Sequence, residues 1–167
     1  MSPDEIDTRY LKQTLVPEIG DAGQTRLARS RVLCIGAGGL GCASLPYLAG
    51  AGVGHITIVD DDRVERSNLQ RQVLFGESDL GLPKAQAALR RLSDLNPQIE
   101  LQALDERLSI ENVESLFRDH DLVLDGSDNY ATKFLCGDAS VKFGVPLIYA
   151  SATGMEAMVT LFDAADG

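Results

Sequence analysis

The sequence predicts an α/β fold, a mostly parallel sheet with helices on both faces, preceded by short N-terminal helices. Three observations predict it. Short apolar runs alternate with helical stretches along the 167 residues, as sheets with helices on both faces require. A glycine-rich turn, "GAGGLG" at 36–41, directly follows one apolar run and opens a helix. The composition, 44% apolar and 24% charged, is that of a globular chain long enough for one domain with a real core and too short for two.

The elements follow in order. Residues 4–15 and 21–29 read as short helices, with "EIGDAG" between them as a turn, so 1–30 form a helical lead-in to an α/β domain over 31–167. "RVLCIG" (31–36) is a short buried strand, and the helix opened by the glycines closes at Gly50 and Gly52. Pro46 inside that helix removes a hydrogen bond and predicts a kink. "HITIVD" (55–60) is the second strand. Residues 83–95 form a helix with Pro83 in its first turn and Ala85, Ala88, Leu89, Leu92 and Leu95 on one face. "IELQAL" (99–104) alternates as a strand does, a helix near 110–118 follows, and "DLVLDG" (121–126) is again a strand. A helix over 129–143, the strand "PLIYAS" (146–151) and a further strand "EAMVTLF" (156–162) complete the pattern. The chain stops soon after that strand, at "DAADG", an odd place for a domain to finish.

Charge narrows the partners. A net charge of −10 disfavours nucleic acid and anionic membrane, which need basic surfaces. No apolar run approaches membrane-spanning length, and the polar, acidic N-terminus lacks a signal-peptide pattern, so the expected location is cytoplasmic. Cys34, Cys42 and Cys136 are widely spaced and form no CxxC pair. They read as buried small apolar residues, with neither a disulfide nor a zinc site.

The glycine turn carries the chemistry. Gly36 permits the tight turn, Gly38 lets a phosphate approach the backbone, and Gly41 allows close helix–sheet packing. The helix N-terminus supplies free N–H groups for an anion. Asp60 ends the next strand 19 residues after Gly41, where a ribose-binding acid belongs. This pattern alone fits an NAD(P)-dependent oxidoreductase equally well. The loop "SNLQRQ" (67–72) favours another ligand: the glycine turn satisfies a dinucleotide's pyrophosphate, whereas a triphosphate extends past it and needs more cations and amides. Neither His55 nor His120 lies at a strand's C-terminal end, where a dehydrogenase would place its acid–base residue. Arg63 and Arg66 read as a solvated loop face, Asp62 as a cap of the following turn, and Asp125 as a strand end that stiffens a turn.

The run "RVLCIGAGGLGCASLPYLAGAGVGHITIVDDDRVERSNLQRQVLF", with "GLPKAQAA", "LNP" and "DLVLDGSDN", resembles the ubiquitin-activating superfamily, in particular its bacterial ThiF/MoeB/HesA-type adenylyltransferases. The resemblance runs from Arg9 to about Phe162 and implies a Rossmann-like homodimer. It implies ATP- and Mg²⁺-dependent adenylation of the C-terminal glycine carboxylate of a small ubiquitin-like sulfur-carrier protein, of thiamine or molybdenum-cofactor type. By this resemblance Gly36, Gly38, Gly39 and Gly41 carry the nucleotide, and Asp60 takes the ribose hydroxyls with Asp62 nearby. Ser67, Asn68, Leu69, Gln70 and Arg71 form the loop that reaches the phosphates, and Lys84 sits beside the α-phosphate. Asp128, with Asn129 next to it, holds Mg²⁺, unless it caps the following helix instead. Arg71, Lys84 and Asp128 are the catalytic candidates.

Two departures stand out. The family pattern RYxRQ reads "RYLKQ" here, so Lys12 occupies the position of an arginine that reaches the partner subunit's ATP, and it lacks the planar two-pronged grip on phosphate. The paired CxxC zinc ligands and sulfur-transfer cysteine that follow in family members are absent, so zinc is expected only in a longer parent chain. A non-catalytic, dimerising member of the superfamily is the remaining alternative, and the joint presence of Arg71, Lys84 and Asp128 speaks against it.

Overall fold

The computed structural model describes residues 8–163. The first part of the expected helix at 4–15, residues 4–7, and the end of "DAADG", residues 164–167, lie outside the described residues. The six strands are β1 (Arg31–Ile35), β2 (His55–Val59), β3 (Glu100–Leu104), β4 (Leu122–Asp125), β5 (Leu147–Thr153) and β6 (Glu156–Phe162). The helices are α1 (Leu11–Thr14), α2 (Gly20–Arg29), α3 (Gly39–Ala51), α4 (Lys84–Leu95), α5 (Val113–Arg118) and α6 (Tyr130–Phe143).

The strands form one sheet in the order β3-β2-β1-β4-β5-β6, parallel throughout except for β6. β6 returns antiparallel because a two-residue turn joins it to β5, with Gly154 at φ 61° where a hairpin turn needs a left-handed residue. Alternation along the strands sorts the core into two layers. Val32 and Cys34 of β1 join Ile56 and Ile58 of β2 under Leu45 and Ala49 of α3 and Ala88 and Leu92 of α4. Leu33 and Ile35 point the other way, against Phe117 of α5 and Cys136 and Ala139 of α6. The expected helices on both faces are therefore present.

Two boundaries differ from the sequence reading. The turn expected over 18–23 is shorter, since α2 already begins at Gly20. α5 starts at Val113 because the Asn112 side chain accepts the Ser109 N–H at 2.8 Å and holds a turn ahead of the helix. α3 closes where expected, with Pro46 inside it and Gly52 ending it in the left-handed conformation at φ 83°.

The topology fixes where a ligand can sit. Chain connections leave β1 towards β2 and β3 on one side and return to β4 on the other, so β1 and β4 flank the switch point of the sheet. In open α/β sheets ligands bind outside the carboxyl ends of the strands at such a point. The loops after β1 and β4 meet there: Gly36 stands at φ 90°, and a Cβ on it would lie 3.0 Å from the Gly126 carbonyl oxygen.

Candidate active site

A cavity of about 990 Å³ opens at this switch point, walled by the glycine turn, the ends of β2 and β4, and the loop carrying Asn68 and Arg71. The four glycines of the turn divide into two kinds. Gly36 and Gly41 are required by the fold, because Gly36 has positive φ and a Cβ on Gly41 would come within 2.1 Å of the Gly36 carbonyl oxygen. Gly38 and Gly39 are not required in that way. Neither has positive φ, and a Cβ would meet nothing closer than 3.8 Å at Gly38 and 3.9 Å at Gly39. Their bare backbone lines the cavity at the N-terminus of α3, which no side chain caps. The first N–H groups of a helix have no partner within it, so this end offers donors to a ligand.

Asp60 stands at the end of β2 with both carboxylate oxygens engaged: one accepts the Ala37 N–H at 2.7 Å and the other the Asp62 N–H at 2.9 Å. Burial pushes its carboxyl above the ordinary value, and those two N–H groups and the nearby Lys84 partly offset it. Each oxygen keeps a further lone pair for a ribose hydroxyl. Asp60 therefore closes the turn out of β2, over 60–62, and Asp62, contrary to expectation, does not cap the turn that follows it. The Asp62 carboxylate instead takes the Lys84 ammonium at 2.8 Å. A short bridge between Arg63 and Pro83 brings the start of α4 against this loop, and the Asp62 carbonyl accepts the Lys84 N–H at 2.9 Å. Lys84 is thereby buried at 5% exposure with its head group held at the cavity wall.

The "SNLQRQ" loop splits between wall and support. Arg71 lies over the glycine turn, with its Cγ 3.9 Å from where a Cβ of Gly39 would be, and Asn68 lines the same cavity. Ser67 turns its hydroxyl to Glu65, Leu69 packs on the core, and neither they nor Gln70 line the cavity. Their contribution is the shape of the loop: the Ser67 carbonyl accepts from Arg71 at 3.2 Å. Arg63 and Arg66 reach Gly81 and Glu77 on the surface, as a solvated loop face would.

Asp128 and Asn129 answer a question left open by the sequence. Asn129 is the N-cap of α6, its side chain accepting the Thr132 N–H at 2.9 Å. Asp128 is exposed to the cavity, and no hydrogen bond or ion pair among the described residues engages its carboxylate. A carboxylate released from capping suits Mg²⁺, which binds through one or two carboxylates together with substrate phosphates.

The sequence reading missed several wall residues. Gln72 is buried at 3% exposure beside Gly38, and its amide oxygen has no partner among the described residues. Glu106, Arg107 and Leu108 follow β3 and close the cavity beyond Asp60, and Lys133 and Tyr149 form its wall towards β5. Only topology could have found Glu106–Leu108, since they leave the same edge of the sheet as Asp60.

Groups outside the cavity bear on other chemistry. His55 and His120 share the Thr57 hydroxyl, at 3.1 and 2.8 Å, at the opposite edge of the sheet, so no histidine reaches the cavity. The three cysteines are buried, and burial pushes the thiols of Cys34 up to about 12, of Cys42 up to about 11, and of Cys136 higher still. A thiol held that far from ionisation is a poor nucleophile. Among the described residues no three His, Cys, Asp or Glu side chains converge as a metal-binding group, and no helix is long and apolar enough to cross a membrane.

The sequence pattern of the ThiF family matches residues 10–167. The chain belongs to the ThiF family. It is 45% identical over 159 residues to a sulfur carrier protein adenylyltransferase of Thermus thermophilus, covering 95% of this chain and 58% of that one. It is 46% identical over 169 residues to the probable adenylyltransferase/sulfurtransferase MoeZ of Mycobacterium tuberculosis, covering 100% of this chain and 43% of MoeZ. The chain thus spans about half the length of these curated relatives. Among solved structures it is similar to Escherichia coli MccB crystallised with AMPCPP and MccA, with a TM-score of 0.83 and 27% identity over 95% of this chain and 49% of that one. It is also similar to PaaA, with a TM-score of 0.81 and 27% identity over 95% of this chain and 51% of that one.

Proposed function

We infer that this chain is the nucleotide-binding part of an adenylyltransferase that activates a small ubiquitin-like sulfur-carrier protein at its C-terminal glycine. The observation that carries the reading is the pair Gly38 and Gly39. Their missing side chains relieve no strain and no clash, yet they open the α3 N-terminus directly beneath Arg71. An anionic ligand explains why that space is kept open. The names of the relatives, sulfur carrier protein adenylyltransferase and MoeZ, support the choice of substrate.

On this reading each side chain has work to do. Asp60 orients the ribose, and the backbone at Gly38 and Gly39 cradles phosphate. The base then lies beyond Asp60, against Glu106–Leu108. The carrier carboxylate attacks the α-phosphorus, one P–O bond forms, the bond to the β-phosphate oxygen breaks, and pyrophosphate leaves. Negative charge accumulates on phosphate oxygens during this exchange. Arg71 and Lys84, held in place by Ser67 and Asp62, offset it from fixed positions, which is worth ~10²–10³ in rate per donor in comparable sites. Mg²⁺ bound through Asp128 would neutralise further phosphate charge.

Lys12 bears on assembly. Its neighbours dock at the far end of α3: Gln13 donates to the Ala51 carbonyl at 3.0 Å, and Tyr10 stacks on Gly52. α3 has 13 residues, so that end is about 20 Å from Gly39. Lys12 would therefore reach phosphate only in a partner's site, across a homodimer. Carrier-dependent exchange of labelled pyrophosphate into ATP tests the whole reading. Exchange that needs the carrier's terminal carboxylate supports it; a protein that binds ATP yet never exchanges with any carrier points to the non-catalytic alternative.

A further inference from the structure

An ion pair at the cavity wall is unexplained by nucleotide contacts. Asp125, fully buried at the end of β4, meets the Lys133 ammonium at 3.0 Å, and the lysine side chain is only 8% exposed. A buried pair adds little stability on balance, because desolvation offsets the attraction. The hydrogen bonds this pair makes are nevertheless spent on geometry. One Asp125 oxygen accepts both the N–H of Ser127 at 2.9 Å and its hydroxyl at 2.6 Å. The other takes Lys133 at 3.0 Å, whose ammonium also donates to the Ala150 carbonyl at 2.7 Å and sits 4.5 Å from the centre of the Tyr149 ring. Lys133 thus joins the first turn of α6 to β5 and, through Asp125, to the turn that presents Asp128.

We propose that Lys133, acting through Asp125 and Ser127, is the positioning residue that fixes the Ser127–Asn129 turn and aims the free Asp128 carboxylate into the cavity. The inference rests on the reading of Asp128 as the metal-binding group. It explains why a buried charge pair stands beside a carboxylate that has no protein partner of its own. Among the described residues, the other bonds to this turn run through Asn129, whose side chain and carbonyl accept the Thr132 and Lys133 N–H groups, so the Asp125 link is what anchors the turn at Ser127, on the other side of Asp128.

The test is calorimetry of ATP binding by the full chain as Mg²⁺ is titrated, a signal independent of turnover. Lys133→Met leaves Asp125 buried without its cation and should lower Tm, so the Mg²⁺ response of the folded variant is read relative to its own ATP affinity in metal-free buffer. Its half-saturating Mg²⁺ concentration should rise ~10–100-fold, the usual cost of losing a group that orients a metal ligand. Lys133→Arg keeps the charge and the donors and should restore most of the response. A folded Lys133→Met protein with the wild-type Mg²⁺ response would overturn the proposal. Should that variant not fold, Ser127→Ala decides: it deletes only the hydroxyl bond to Asp125, and an unshifted Mg²⁺ response there overturns the proposal equally. Wild-type protein whose ATP binding ignores Mg²⁺ would overturn the metal reading of Asp128 itself, a failure visible before any variant is made.

Discussion

Gly39→Ala separates what the fold needs from what the ligand needs. The added Cβ would meet no protein atom closer than 3.9 Å, and Gly39 has no positive φ to strain. At such a compatible helical position the exchange reduces the freedom of the unfolded chain and stabilises by ~0.4–1 kcal/mol. For a chain of this size that is a rise of about 1–4 °C in Tm without nucleotide. The same methyl group stands where the phosphate should approach the α3 N-terminus. Loss of one hydrogen bond to a charged group costs ~1.5–3 kcal/mol, so ATP affinity should fall roughly 10–150-fold. Gly41→Ala is the control, because its Cβ would lie 2.1 Å from a backbone oxygen and must strain the fold by ~1–3 kcal/mol. Scanning calorimetry and titration calorimetry on both variants read the two effects separately. A Gly39→Ala protein that binds ATP as the wild type does would refute the phosphate assignment, and one that melts several degrees lower would refute the claim that the fold does not need this glycine.

Asp128→Asn should leave Tm unchanged, since the carboxylate has no protein partner to lose, and should abolish carrier-dependent pyrophosphate exchange; full exchange in the folded variant would leave this residue without a metal role. Alanine at Lys84 or Arg71 should slow adenylation ~10²–10³-fold in a single-turnover assay, and a loss of under about threefold would mark that side chain as a structural contact only. His120 gives a pH signature. Burial lowers its basicity, with His55 and Arg31 adding to the effect, so below 6.5 the unfolded chain binds a proton that the folded one refuses. Stability should therefore fall as pH drops through the window beneath that value, by at most about 1.4 kcal/mol per pH unit. Urea midpoints across the window should lose part of their slope in His120→Gln, and an unchanged slope would place the titration elsewhere.

The sheet and the glycine turn were legible because each rests on local sequence: apolar runs of strand length, a GxGxxG spacing and an acid at the next strand's end. The roles of Asp62 and Asp60 in the turn after β2 were not, because they depend on the Arg63–Pro83 bridge that swings Lys84 onto Asp62. Ser67, Leu69 and Gln70 shared a motif with Asn68 and Arg71, yet the 3₁₀ turn at Arg66–Asn68 points them away from the cavity. Lys133 carried no signal beside Asp125, eight residues earlier, since only the β4 turn and the first turn of α6 bring the two together. Asp128 was ambiguous in sequence between cap and ligand. The neighbouring amide takes the cap, which leaves the carboxylate available for the metal role proposed here.

The central claim is that the cavity at the β1–β4 switch point is shaped for a triphosphate and its metal rather than for a dinucleotide. Titration calorimetry of the chain with ATP plus Mg²⁺, and separately with NAD, tests it most directly. Tighter binding of ATP, weakened by Gly39→Ala and by omission of Mg²⁺, is the predicted result. Tighter binding of NAD, indifferent to Mg²⁺, would contradict the account.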